Sequence, residues 1–254
     1  MNSSERLLAV LELFSEEHPV WTAEEMLKVT GFTRTTLYRY LKTLRQFGLV
    51  TSVSGRAFSL GPRVTELDYL MRRADPLIEA GQGALHILSK LHPCSAFLVR
   101  WYASKILCVS SVVSAPDPQS SYPRGRPMPL ARGAISRAIL AYLSKREQEK
   151  IGGENLAEFA RVGTGETVEE IRATLRKVRR DGFAIAYGEV TPGVVGIAAP
   201  IFDGGAGPAA ALCFTAIGAD IEQEKINLLS ERVRDLANAI STDLIGAERI
   251  QQSA

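Results

Sequence analysis

The sequence predicts an α+β fold in two domains joined by a helical linker. Three helical patterns and a short hairpin occupy residues 1–62, which is the element order of a winged helix-turn-helix domain. Residues 63–76 predict a linker helix. In residues 77–254 strands and helices are mixed, but the strands do not alternate strictly with helices. This order favours an antiparallel sheet flanked by helices over a doubly wound parallel sheet.

Capping residues delimit the N-terminal helices. Ser4 precedes the first apolar pattern, Thr22 and Glu25 have the spacing of a capping box, and Thr33 precedes the third helix. A turn glycine, Gly55, separates two short apolar runs, as in a hairpin. These signals predict helices over 4–17, 22–29 and 33–47 and strands over 49–53 and 57–60.

The second domain shows longer patterns of both kinds. Thr167 with Glu170 marks one helix start, and a glycine-rich turn over 203–208 separates the last two strands. The Pro/Ser-rich stretch 112–129 predicts a loop. The patterns predict helices over 77–91, 131–143, 167–180 and 221–245, and strands over 96–102, 106–113, 183–187, 194–202 and 209–217.

A segment without acidic residues runs from Met26 to Thr65. The chain has 28 Asp and Glu in 254 residues, so an even spread would place about four of them here. An ordinary exposed basic helix would carry interleaved Glu for i,i+4 pairing. The segment instead has the charge pattern of a surface that binds nucleic-acid phosphates. Its basic residues are Lys28, Arg34, Arg39, Lys42, Arg45, Arg56 and Arg63.

The third helix has the geometry of a recognition helix. At 100° per residue, Leu37, Leu41 and Leu44 form one apolar stripe, and polar and cationic residues lie opposite. In a major groove the first turns of such a helix reach base edges and later cations reach phosphates. The partner is therefore expected to be double-stranded DNA. The expected DNA-binding residues are Thr33, Arg34, Thr35, Thr36, Tyr38, Arg39, Lys42, Arg45, Gln46 and, at the hairpin tip, Arg56.

Other classes of function have little support in the sequence. Three cysteines without a C-x-x-C spacing and three scattered histidines argue against disulfides and a metal site. We expect no cofactor, because no P-loop or nucleophile elbow is present. The longest apolar stretches are too short to span a bilayer, and the N-terminus lacks signal-peptide features, so a cytoplasmic protein is expected. These observations favour a DNA-binding protein that regulates transcription. An enzyme that is tethered to DNA and acts on a small metabolite remains the alternative.

Several short runs, in a fixed order, resemble one family across nearly the whole chain. In the second domain, Pro129-Leu130 precedes Ile135-Ser136-Arg137-Ala138 at a distinctive spacing. Together the runs resemble the IclR (isocitrate lyase regulator) family of bacterial transcription factors. The others are Ser4-Glu5-Arg6-Leu7-Leu8, Thr33-Arg34-Thr35-Thr36-Leu37-Tyr38-Arg39-Tyr40-Leu41, Asp181-Gly182-Phe183-Ala184 and Ile197-Ala198-Ala199-Pro200-Ile201-Phe202-Asp203.

The resemblance implies a GAF-like effector domain, a homodimer or dimer of dimers, and a repressor of a catabolic operon. It implies a small-molecule effector, an organic acid, in the C-terminal half. Carried over position by position, the effector-binding residues are expected to be Met128, Ala134, Ile135, Ala186, Tyr187, Gly196, Cys213 and Thr215.

Departures from the family pattern change the expected pocket. The family's histidine and threonine near the pocket helix are Ala131 and Gly133 here, and a position that is often Cys is Gly196. The pocket is therefore expected to be wider and less polar, which favours a ring-sized, aromatic type of acid over a two-carbon acid. The candidate carboxylate partners are Arg100, Arg124, Arg126 and Arg132.

Overall fold

A computed structural model describes residues 2–115 and 122–252, with the side chains of 248–252 excepted. The chain forms two compact units, Met1–Asp75 and Pro76–Ala254. The first is a winged helix-turn-helix domain, and the second is a GAF-like α/β domain with an antiparallel sheet.

The N-terminal unit contains four helices and a small sheet. The helices are α1 (Ser3–Leu11), α2 (Ala23–Thr30), α3 (Arg34–Gln46) and α4 (Arg63–Ala74). The strands are β1 (Trp21–Thr22), β2 (Val50–Val53) and β3 (Ala57–Leu60), paired antiparallel in the order β1-β3-β2. The sequence did not predict β1, which is only two residues long and too short to show a period.

Local capping determines where these helices begin. Thr22 and Glu25 form the predicted capping box of α2, and the Thr33 side chain accepts a hydrogen bond from the Thr36 amide at the start of α3. The first helix differs, because Asn2 caps α1 in a capping box with Glu5 and Ser4 lies inside the helix. Asn is as good a cap as Ser, so composition alone did not distinguish them.

The core of this unit contains the predicted stripe of α3. Leu37, Leu41 and Leu44 are all buried, packed with Met26 of α2. Tyr40 is also buried, and its hydroxyl lies 3.3 Å from Ser3 Oγ, which connects α1 to α3. Because this face of α3 is buried, the opposite face of the helix is exposed to solvent.

In its described residues, the C-terminal unit contains six α-helices and six strands. The helices are α5 (Pro76–Leu91), α6 (Ala134–Leu140), α7 (Lys145–Glu154), α8 (Leu156–Arg161), α9 (Val168–Asp181) and α10 (Gln223–Gln252). The strands are β4 (Ser95–Tyr102), β5 (Lys105–Val113), β6 (Pro127–Met128), β7 (Ala184–Tyr187), β8 (Val194–Ile201) and β9 (Ala210–Ile217).

These six strands form one antiparallel sheet in the order β6-β5-β4-β9-β8-β7. Helices α5 and α10 bury one face of the sheet, and a second apolar cluster under α6, α8 and α9 covers the other. Since side chains alternate along a strand, neighbouring residues such as Val195 and Gly196 face different layers.

The region after the sheet's first hairpin differs most from the predicted elements. The predicted helix over 131–143 begins only at Ala134, because Gly133 has a φ of 87° that no right-handed helix contains, and it ends at Leu140. Helices α7 and α8 were not predicted, although Ser144 and Glu147 form a capping box at the start of α7. Part of the predicted loop over 112–129 lies outside the described residues, and β6 forms within the described part.

Candidate functional site

The exposed face of α3 contains the cationic residues expected to contact DNA. Arg34, Arg39, Lys42 and Arg45 are all exposed, as are Thr35, Tyr38 and Gln46. The Arg39 guanidinium lies 5.4 Å from the centroid of the neighbouring Tyr40 ring. The face therefore presents positive charge and hydrogen-bond donors without an acidic side chain of its own.

The N-terminus of α3 has a paired hydroxyl cap. Thr33 is exposed and Thr36 is half-buried, and their Oγ1 atoms lie 2.9 Å apart. The first turn of α3 contains no acidic residue. Its free amides and the positive end of the helix dipole favour an anion at this point.

A basic groove lies beside the C-terminal half of α3. Lys42, Arg45 and Gln46 form one wall, and Val50 with Thr51 of β2 form the other. The groove is open, and its cations come from the later turns of the helix. This arrangement suits contacts to phosphates, whereas the first turns are better placed for base edges.

The hairpin between β2 and β3 forms the wing. Val53 pairs with Ala57, so the tip consists of three residues. Gly55 has a φ of 74° and Arg56 a φ of 63°, which places both in the left-handed region. A non-glycine residue there is uncommon, and the turn holds the exposed Arg56 at the tip of the wing.

A cavity lies in the C-terminal unit between the sheet and the start of α6. The strands β4, β8 and β9 form its floor, and Met128 of β6 with the beginning of α6 forms one side. Two residues of the turn between β7 and β8, Val190 and Thr191, form another part of the wall. The lining residues are Phe97, Tyr122, Met128, Pro129, Gly133, Ala134, Ile135, Val190, Thr191, Val194, Gly196, Cys213 and Thr215.

The chemistry of the cavity suits an apolar ring that carries few polar groups. Its walls are mostly apolar, with large side chains from Phe97, Met128 and Ile135. None of its described lining residues has a charged side chain. Hydroxyl groups come from Tyr122, Thr191 and Thr215, and the Thr215 hydroxyl donates to the Ser95 carbonyl oxygen at 3.1 Å.

Cys213 lies in the cavity wall as an uncharged thiol. Its side chain is buried, and burial raises its pKa well above the usual range. Burial also raises the pKa of Cys108 to about 11. A nucleophilic cysteine needs a lowered pKa, so Cys213 has the character of a wall residue and not that of a catalyst.

The structure brings six of the eight expected effector residues to this cavity, and two lie elsewhere. Ala186 is buried beside Gly196 in the β7–β8 register but does not line the cavity. Tyr187 is exposed and faces the other layer, with its hydroxyl 3.5 Å from Gln223 Oε1 of α10. Successive strand residues point to opposite faces, so Tyr187 points away from the layer that contains the cavity. The six are Met128, Ala134, Ile135, Gly196, Cys213 and Thr215.

Sequence reasoning missed seven of the lining residues, which are Phe97, Tyr122, Pro129, Gly133, Val190, Thr191 and Val194. Phe97 lies opposite Cys213 in the β4–β9 pair. Its place in the cavity wall could therefore be predicted only if the order of the strands in the sheet were known. Val190 and Thr191 belong to a turn, and no periodicity marks a turn residue as part of a cavity wall.

The four arginines considered as carboxylate partners do not line the cavity. Arg100 lines a separate cleft with Asp203, and Arg132 pairs with Glu158 at 3.2 Å. Arg124 donates to the Val109 carbonyl oxygen, and the exposed Arg126 lies 5.3 Å from the centroid of the Tyr122 ring.

Within the described residues, no group of three or more His, Cys, Asp or Glu side chains is arranged to hold a metal ion. Among the described helices, none is both long and apolar enough to cross a membrane.

Two family profiles match the chain over the regions that contain these sites. Residues 3–54 match the IclR helix-turn-helix domain, and residues 77–242 match the bacterial transcriptional regulator IclR C-terminal domain. The chain belongs to the IclR family. It is therefore a transcriptional regulator with an N-terminal DNA-binding domain and a C-terminal effector domain.

Proteins similar to this IclR regulator share its full two-domain length. The transcriptional regulator KipR of Bacillus subtilis is 24% identical over 237 residues, covering 92% of this chain and 93% of KipR. An IclR-type regulator from a Silicibacter species has a TM-score of 0.82 at 22% identity, over 96% of each chain. An IclR homologue from Microbacterium hydrocarbonoxydans, solved with 4-hydroxybenzoate, has a TM-score of 0.76 at 20% identity, over 96% of this chain and 99% of its own.

Proposed function

We propose that the chain is a ligand-controlled repressor of a catabolic operon and that its effector is a ring-sized organic acid. The observation that carries the proposal is the mostly apolar cavity in the effector domain, whose described lining residues carry no charge. Its walls suit an apolar ring, whereas a two-carbon acid has little apolar surface to place against them. The 4-hydroxybenzoate bound by the Microbacterium homologue combines such a ring with a carboxylate.

The orientation of the acid follows from the distribution of polarity. A buried carboxylate without a cation is costly, and no lining residue supplies one. We infer that the ring enters first, against Phe97, Met128 and Cys213. The carboxylate then remains near the half-buried Tyr122 and Thr191, where water completes its hydrogen bonds.

On the DNA side, we propose that two N-terminal domains of a homodimer, or of a dimer of dimers, bind the two halves of a pseudo-palindrome. The linker helix α4 supports self-association. It has no buried residue, and Leu67, Leu70 and Met71 are exposed on one face. A surface of this kind gains stability when it is covered by a partner chain. A protein whose partner is chromosomal DNA acts in the cytoplasm.

The alternative is an enzyme whose basic domain tethers it to DNA. A nucleophile with an adjacent base would favour it, but burial keeps the Cys213 thiol in its uncharged form. We therefore propose that the ligand leaves the cavity chemically unchanged.

A binding experiment tests both parts of the proposal. The full chain is titrated onto operator DNA with and without benzoate-type acids, and each acid is quantified afterwards. We expect a change in DNA affinity of about fivefold or more for at least one acid, with that acid recovered intact. Consumption of the acid would support the enzyme, and unchanged affinity for every ring acid would contradict the proposed effector class.

A further inference from the structure

The turn between β7 and β8 forms part of the cavity wall. It begins at Gly188, whose amide donates to the Val194 carbonyl oxygen at 2.8 Å, and ends at Gly193, whose carbonyl oxygen accepts from the Gly218 amide at 2.7 Å. Between these two ends, Val190 and Thr191 line the cavity. The Val194 amide also donates to the Thr191 carbonyl oxygen at 3.2 Å, so backbone hydrogen bonds hold both ends of the turn and Thr191. Side-chain contacts hold the part between them, Glu189 and Val190.

Glu189 connects the middle of this turn to α6. One carboxylate oxygen accepts from the Arg137 guanidinium at 2.7 Å, and the other accepts from Arg137 at 2.9 Å and from the Gly133 amide at 2.8 Å. The Glu189 and Arg137 side chains are only 12% and 8% exposed. A bidentate, buried pair with a third hydrogen bond holds the carboxylate in one place.

Arg137 is fixed independently of this ion pair. Its guanidinium also donates to the Ile185 carbonyl oxygen at 2.7 Å and to Thr164 Oγ1 at 3.1 Å. Loss of the Glu189 carboxylate would therefore leave Arg137 with two acceptors from other parts of the fold. Glu189 and its turn would lose their attachment, so the turn is the partner that would move.

The residue after Glu189 lies directly on the start of α6. A Cβ atom built on Gly133 would stand 2.9 Å from Val190 Cγ2, closer than such atoms normally approach. Gly133 thus provides the space that Val190 occupies when Glu189 is bound. The same contact brings the valine to the cavity wall.

We propose that Glu189 is a positioning residue, which holds Val190 in the wall of the effector cavity through Arg137 and Gly133. This inference rests on the proposed function, because it assigns the cavity to the effector. Without the carboxylate the turn lifts from α6, the cavity opens, and the ligand loses one wall.

Cysteine alkylation tests this inference without any knowledge of the ligand. Cys213 lines the cavity, and Cys94 is buried in the cluster on the other face of the sheet. N-Ethylmaleimide labelling of the full chain, followed by peptide mass spectrometry, measures both rates in one sample. For Glu189→Gln we expect the Cys213 rate to rise about tenfold relative to Cys94, because only the cavity opens.

The matched control is Glu149→Gln, since Glu149 lies 3.7 Å from both Lys145 and Arg172 and does not line the cavity. This variant should leave both rates as in the wild type. Glu189→Asp keeps the charge on a shorter side chain and should give an intermediate Cys213 rate, which provides a milder variant if the Gln substitution prevents folding. An unaltered Cys213 rate, or parallel acceleration of Cys213 and Cys94, would overturn the proposal.

A second arm separates this inference from the proposed function. In the wild-type protein, 4-hydroxybenzoate as the probe should slow Cys213 alkylation. If the probe has no effect but Glu189→Gln still opens the cavity, the effector class is wrong and the positioning role stands.

Discussion

Gly196 and Thr215 are paired across β8 and β9, and both line the cavity that is proposed to hold the effector. A Cβ atom on Gly196 would stand 3.7 Å from Thr215 Cγ2 and 3.9 Å from the Ala134 Cβ, which is ordinary contact distance. A small side chain therefore fits at Gly196, whereas a large one must extend into the cavity.

Filling the cavity should abolish the effector response. In Gly196→Leu the added side chain occupies ligand space, so a change of about fivefold or more in operator affinity should disappear. Operator binding without ligand should be unaltered, because the substitution lies in a different unit from the recognition helix. Fluorescence anisotropy on operator DNA measures both properties. Gly196→Ala is the control and should keep the response; a normal response in the Leu variant would move the site elsewhere.

Two cations of α3 should have separable roles. Arg39 lies nearer the N-terminus of the helix, and Arg39→Ala should cost ~1–3 kcal/mol on the operator and relax sequence preference if it recognises a guanine. Lys42 lines the basic groove, so Lys42→Ala should weaken binding to all DNA. It should also reduce the salt slope, which is the slope of the logarithm of the binding constant against the logarithm of the salt concentration, by about one unit. Titrations on operator and random DNA at several salt concentrations distinguish them. Equal effects on specificity would contradict this assignment.

The wing should strengthen the binding of all DNA through its positive charge, without affecting the preference for one sequence. Arg56→Ala should lower affinity for every sequence, with the fold intact, because the exposed side chain has no core contact. Since the φ of Arg56 is 63°, Arg56→Asn is the better-matched variant, as Asn tolerates this conformation. Both variants should lose about one unit of salt slope. Wild-type affinity at physiological salt in both would remove the wing from the interface.

Helix α4 should be required for self-association. Leu67, Leu70 and Met71 are exposed on one face at i, i+3 and i+4 spacing. The double variant Leu67→Glu, Leu70→Glu should lower the molar mass in light scattering and weaken operator binding. Tyr69→Ser is a control, since Tyr69 lies about 100° around the helix from Leu70. If the double variant keeps the molar mass of the wild type, the contact between copies of the chain does not involve this face of α4.

The buried thiol of Cys108 should make stability decline at high pH. Burial raises its pKa from 9.0 to about 11, so the folded state holds the neutral thiol more strongly than the unfolded chain does. That contribution is fully present below pH 9.0 and is lost as the pH rises towards about 11. Cys108→Ala should therefore flatten the decline by ~2 kcal/mol or less. Urea unfolding at about pH 8 and about pH 10.5 measures the difference; parallel declines in both proteins would contradict it.

The recognition helix was predictable because its signals are local. The Thr33 cap, the leucine stripe and the absence of acids all lie within a few turns, and the structure places the leucines inside and the cations outside. Burial of Tyr40 was not predicted, since its position depends on Ser3 of α1, 37 residues away.

The cavity was only partly predictable, because its walls come from distant parts of the chain. The motif positions led to Gly196, Cys213 and Thr215, but strand alternation turns Tyr187 to the other layer. Val190 of the wall follows Glu189, whose carboxylate pairs with Arg137 from 52 residues away in the chain. A periodic pattern in the sequence cannot predict a contact between two residues so far apart.

The central claim is that an acid in this cavity controls sequence-specific DNA binding, and one measurement tests it most directly. DNA selected from a random library by the full chain is titrated by anisotropy with and without 4-hydroxybenzoate and related ring acids. We predict an enriched inverted repeat, tighter binding to it than to random DNA, and a shift of about fivefold or more with at least one acid. If no DNA sequence is enriched, or if no ring acid changes the affinity for the enriched DNA, this control of DNA binding by an acid is contradicted.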